Sequence, residues 1–160
     1  MESSASIAPR SNRGAAIIFA TLGTSAIVFG GLFSAATARS ATYHSAWFVA
    51  YLVLVVGVAQ VALGLGQWWL TSRPLSVAHV VSELVFFNIG NAGVIIGTLL
   101  AAPFWVDAGS VWIVVALSLF GWRVWSPRSR GAALWLYWML IVLLFVSVLV
   151  GLFFAHAAAA

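Results

Sequence analysis

The chain has no cysteine and, because its seven basic residues are all arginine, no lysine; it has three acidic residues and four prolines in 160 positions. Each scarcity removes a class of chemistry. Without thiols there is no Cys-ligated iron–sulfur cluster, zinc–thiolate centre, disulfide framework or thiol nucleophile. Without lysine there is no Schiff base to retinal or pyridoxal phosphate and no P-loop lysine. The formal charge of +4 comes from scattered arginines with no interleaved aromatics, so nucleic acid is not an expected partner.

What is abundant explains what is scarce. Hydrophobic residues make up 64% of the chain and charged residues 6%, at a mean hydropathy of +1.11. So few charges cannot cover a soluble core, so hydrocarbon must be the solvent for most side chains. Charges and prolines cut the sequence into five apolar blocks, each close to the roughly 20 residues needed to cross a bilayer core of about 30 Å. They run over about 15–37, 46–70, 77–102, 104–122 and 132–154. Arg73-Pro74, Pro103 and the turn from Ser126 to Gly131 separate the later ones. The expected fold is an all-α, polytopic transmembrane helical bundle of about five spans forming a single domain. A disordered cytoplasmic tail over 1–14 precedes it and a short outer tail over 156–160 follows.

Arginine sets the expected orientation. With the N-terminus inside, Arg10, Arg13, Arg73, Arg123, Arg128 and Arg130 face the cytoplasm and only Arg39 lies outside, the bias that bacterial inner-membrane proteins carry. Most tryptophans fall at span ends, where the indole ring is half buried and its N–H is wet. Trp47 and Trp105 lie at outer ends, Trp68, Trp69, Trp122, Trp125, Trp135 and Trp138 at inner ends, and Trp112 deeper. The first span has a second reading as a cleaved signal peptide, since Ala36-Thr37-Ala38 matches a small-residue cleavage site. Its apolar run of over 20 residues exceeds the usual ~7–15.

Polar side chains at depth are the informative ones. Glu83 lies roughly 9 Å into the third span, where it should face the bundle, find a donor or be held neutral. Ser76, His79, Phe87, Gly90, Val94 and Gly97 share its face, with Asn91 on the edge and Asn88 nearby. His79, four residues before Glu83, is placed to bond to it, as a proton relay or cation-entry pair or as a plain polar clasp. In the second span Gly57, Gln60, Gly64 and Gln67 follow a 3-4-3 spacing and predict close helix packing, with a glutamine reaching Glu83, His79 or Asn91. His44 and His156, both at outer ends, are the pair that could ligate a haem, although neither sits in a distinctive motif. No cofactor or metal is expected. No Ser/His/Asp order, carboxylate pair, phosphate loop or HExxH occurs, so an enzymatic reading has no residues to rest on. Asp107 reads as an acid complementing a helix dipole.

Three stretches, AYLVLVVGVAQVALGLGQWWL, ELVFFNIGNAGVIIGTLLAAPFWVDAGS and RGAALWLYWMLIVLLFVSVLVG, resemble a family of small multi-span membrane proteins of high-GC bacteria. The resemblance implies a membrane fold and no particular activity. Asn88, Gly90 and Asn91 are also similar to an Asn-x-Gly element in helices of haem-copper oxidase subunit I-like proteins. The clustered histidines of that family are missing, so oxidase activity is not carried over. The expected function is a non-enzymatic bundle that self-associates or serves a larger membrane complex. The alternatives are a small transporter or channel using Glu83 and His79, and a haem- or quinone-associated redox subunit.

Overall fold

The computed structural model describes residues 8–71, 76–128 and 130–157, with side chains from Arg13 onward. Five long helices account for almost all of it: α1 (Ala8–Thr37), α2 (Tyr43–Leu70), α3 (Val77–Leu99), α4 (Pro103–Arg123) and α5 (Ala132–Ala157). All five are long and apolar enough to span a membrane. We call the end with Arg13, Arg123, Arg128 and Arg130 the basic end and the other, with Arg39 and His156, the far end.

Local chemistry sets boundaries that hydropathy misses. α1 starts at Ala8, inside the segment expected to be a tail, with Pro9 in the first turn, where a missing N–H has no intrahelical partner to lose. Residues 1–7 lie outside the described residues. α2 starts at Tyr43 rather than 46 because Thr42 and Ser45 form a capping box: Ser45 N–H donates to Thr42 Oγ1 (3.2 Å) and Thr42 N–H to Ser45 Oγ (2.8 Å). α3 stops at Leu99, not 102, in a Schellman turn. There Ala102 N–H donates to the Gly97 carbonyl (2.8 Å) and Ala101 N–H to that of Thr98 (3.4 Å). Ala101 holds φ 49°, the left-handed position that usually takes glycine. Pro103 then opens α4 at its first turn. α5 continues to Ala157, into the expected outer tail; no proline or charged residue interrupts it, and its end is rich in alanine, the best helix former.

Two antiparallel helix pairs form the frame. In lipid, apolar side chains gain nothing by leaving their solvent, so close van der Waals fit decides which faces meet. α3 and α4 meet backbone to backbone: a Cβ on Gly109 would sit 2.5 Å from the Gly90 carbonyl oxygen and 2.6 Å from Val94 N. α1 and α2 meet in the same way at Gly23 and Gly57, and nearer the basic end the Phe19 ring fills the space left by Gly64. Phe19, Leu63, Phe87 and Phe120 form a buried layer across the basic half, with edge-on ring pairs Phe19–Phe120 (5.4 Å) and Phe87–Phe120 (6.2 Å). α5 leans on α4, and on α2 where Tyr137 covers Gly66. The chain after α4 is tied under α2 by Arg128 N–H to the Leu70 carbonyl (2.7 Å). The outward faces are apolar, with Trp69, Trp122, Trp125 and Trp135 strongly exposed toward the basic end. Trp112, the deep one, stacks on Phe86 at 5.1 Å.

One segment breaks the helical regularity. Leu52–Ala59, in the middle of α2, is π-helical. An i→i+5 turn advances each residue by roughly 80° rather than 100°, so the nine steps from Tyr51 to Gln60 make about two full turns instead of two and a half. Tyr51, which α-helical counting puts opposite Gln60, therefore comes round to the same side.

Candidate functional site

The π turn brings Tyr51 to the side of α2 that carries Gln60 and Gln67, and Tyr51 and Gln67 both reach α3. Tyr51 O–H donates to Asn91 Oδ1 (2.8 Å), and Asn91 Nδ2 donates back to the Phe87 carbonyl (2.7 Å). Gln67 Nε2 donates to Glu83 Oε1 (2.8 Å). Gln60, Gln67, Glu83 and Asn91 are all buried, so these are bonds made away from lipid and water. The stripe of residues 57, 60, 64 and 67 divides between two neighbours. Gly57 and Gly64 face α1, against Ile27 and Phe19, while Gln67 faces α3. Gly90 meets Gly109 and Ile113, and Gly97 meets Val106.

Glu83 and His79 are not joined. The His79 imidazole is exposed and its Nδ1 lies 2.5 Å from Ser76 Oγ, the N-cap of α3. Glu83 instead takes its donor from α2, and its further company comes from α4 and α5. Arg123, which by sequence marks only the topology, and Tyr137, which no sequence pattern singles out, both lie within electrostatic reach of the carboxyl. Gln67, Glu83, Arg123 and Tyr137 thus contribute one side chain from each of four helices. The group is incompletely paired: Glu83 Oε2, Gln67 Oε1, Tyr137 OH, Arg123 Nε and Nη2, and both amide atoms of Gln60 are buried without a hydrogen-bond partner among the described residues. Arg123 also lines a recess of about 280 Å³ at the basic surface with Trp122, Trp125 and Ser126. Asn88 lies to one side, donating to the Leu84 carbonyl (2.9 Å).

The far half contains a different feature, a cavity of about 680 Å³ between α2, α3, α4 and α5. Tyr43, His44, Trp47 and Tyr51 line its α2 side, Val94 and Gly97 the α3 side, and Leu144, Ser147 and Val148 the α5 side. Phe87 and Ile113 close its deep end, one helical turn from Glu83. Most of the lining is apolar; hydroxyl side chains come from Tyr43, Tyr51, Thr98, Ser110 and Ser147.

The two histidines weighed for haem have separate surroundings. His44 is exposed at the cavity rim beside Tyr43. His156 has both ring nitrogens engaged, Nε2 with Asp107 Oδ2 (3.5 Å) and Nδ1 with the Leu152 carbonyl (3.0 Å). Asp107 lies one turn inside α4 and makes this link to α5 rather than sitting in the first turn. Among the described residues no group of three or more His, Cys, Asp or Glu is placed to share a metal ion. Comparison of the chain with protein-family profiles, with curated proteins and with solved structures finds no match.

Proposed function

We propose that this protein is a non-enzymatic, multi-pass membrane protein that binds a small amphipathic molecule from the bilayer in the cavity between α2 and α5. The basic end faces the cytoplasm in this reading, on the arginine bias of the sequence, which is also what favours a bacterial inner membrane. Burial of Phe19 against Gly64 supports α1 as a working part of the bundle rather than a discarded leader.

The cavity's size together with its lining carries the reading. Its 680 Å³ fall inside the ~300–1,000 Å³ typical of small-molecule sites. A helix about 10 Å wide crossing half the bilayer fills on the order of 1,200 Å³. The cavity is too small for a partner helix and suits a compact guest. Apolar walls fit the guest's body, and the Tyr51, Ser110 and Ser147 hydroxyls offer hydrogen bonds to a head group. The fully buried Phe87 ring, packed on Phe120, separates this space from Glu83, which favours binding over passage through the bundle.

The test is native mass spectrometry of the protein extracted with its surrounding lipid. Wild type should carry a retained adduct of lipid or isoprenoid mass. Ser147→Trp, which fills the cavity from α5, should lose it while the protein stays folded. Identical adduct patterns for the two proteins would refute the reading.

A further inference from the structure

Around Glu83, five buried polar atoms on four side chains, Gln67, Glu83, Arg123 and Tyr137, lack partners among the described residues. Uncompensated burial of a polar group is costly, most of all for a charged one, so such atoms in a folded protein call for something that bonds to them. Their chemistry says what. Donors (Arg123 Nε and Nη2, Tyr137 OH) and acceptors (Glu83 Oε2, Gln67 Oε1) are both present, and the site's one acid stands against one guanidinium. A metal ion would meet the arginine's charge and leave the donors unused. An anion would meet the carboxylate. A neutral species that both donates and accepts satisfies both sets, and water is the one small enough to lie among side chains this buried.

We propose that Gln67, Glu83, Arg123 and Tyr137 enclose a bound-water site in which water joins the Glu83 carboxyl to the Arg123 guanidinium, filled from the basic surface through the recess between Trp122 and Trp125. Three placements support it beyond the orphaned atoms. Arg123 belongs to both the recess and the surroundings of Glu83, so one side chain links bulk solvent to the interior. Gln67 holds Glu83 Oε1, which leaves Oε2 as the atom free to take a water. The Phe19, Phe87 and Phe120 layer closes the far side, so the water column ends inside the bundle. The site is a one-sided inlet that brings hydrogen-bonded water, and protons moving along it, to within a helical turn of the cavity floor without opening the membrane. It stands independently of what the cavity binds.

Radiolytic hydroxyl labelling of the protein in lipid nanodiscs tests this with water itself as the probe, because radicals form from water bound next to a side chain. The buried Tyr137 ring should be labelled at a rate close to that of exposed Trp125 and roughly tenfold above Phe19, which is equally buried but surrounded by apolar groups. Glu83→Leu should bring Tyr137 down to the Phe19 rate, whereas Glu83→Gln, which keeps the hydrogen-bonding group, should preserve most of it. Wild-type Tyr137 as inert as Phe19 would overturn the proposal whatever the variants do. Labelling unchanged in a folded Glu83→Leu protein would also overturn it, by placing the water away from the carboxyl.

Discussion

Divided at the level of Phe87, the bundle has two halves built from the same helices with different interiors. In the basic half all five helices meet, and the contacts combine an aromatic layer with polar side chains reaching across seams. In the far half α3 and α4 are pressed together at Gly90, Gly93, Gly97 and Gly109, while α5 stands away from α2 and leaves a cavity. The difference shows what each kind of contact permits. Backbone-to-backbone contact through glycine concentrates the fit in one pair and lets a neighbour stand off. Polar bonds between several helices require all of them to converge. A bundle that is to hold a guest needs the first arrangement around the guest and the second elsewhere.

Substitutions break this contrast in a graded way. The largest effect is expected for Gly109→Val, whose side chain would meet the backbone of Gly90 and Val94, atoms that can move only if the helices part. It should cost at least about 3 kcal/mol, the upper range for overpacking, in equilibrium unfolding from mixed micelles. Gln67→Leu leaves Glu83 buried without its donor and should cost about 1–3 kcal/mol in the same assay. Tyr51→Phe removes the bond that ties the π segment to Asn91 and should cost near 0.6 kcal/mol, the average for interhelical hydrogen bonds in membranes. Ala101→Gly relieves the left-handed residue at the α3–α4 turn and should stabilise by about 0.5–1 kcal/mol. Asp107→Asn should have the smallest effect, under about 0.5 kcal/mol and vanishing in high salt, because the Asp107 and His156 side chains are 46% and 58% exposed. If Gln67→Leu proved costlier than Gly109→Val, the assignment of tight fit to the far half would need revision.

The spans were legible because charge and proline are excluded from hydrocarbon, a constraint each residue carries by itself. Helix ends at Thr42 and Ala101 were less so, since they depend on side-chain capping and on a left-handed alanine that composition disguises. Gln60, Gln67, Glu83 and Asn91 could be picked out by being polar at depth, whatever their partners. Their partners could not. Tyr51 was hidden because a count of 100° per residue assumes α geometry through Leu52–Ala59. Arg123 and Tyr137 were hidden by their place at span ends, where arginine and aromatics have an ordinary interfacial explanation. His79 was drawn to Glu83 by spacing alone, but its own N-cap serine is nearer and lies on the solvated side. The cavity depends on how α5 is placed against the other helices, which no local pattern encodes.

The π segment makes this protein sensitive to insertions and deletions in a way its hydropathy profile conceals. Loss of one codon between Leu52 and Ala59, with the helix closing to regular α geometry, would leave Tyr51 roughly 80° away from the side of Gln60 and turn Trp47 and His44 from the cavity wall. Loss of two codons would bring that wall back into phase on a helix of nearly the same length, because an α turn rises more per residue than the wider π turn it replaces. Homologous chains differing by two residues here would keep the same guest-facing surface, and those differing by one would lose it, although all would read as the same five-span protein.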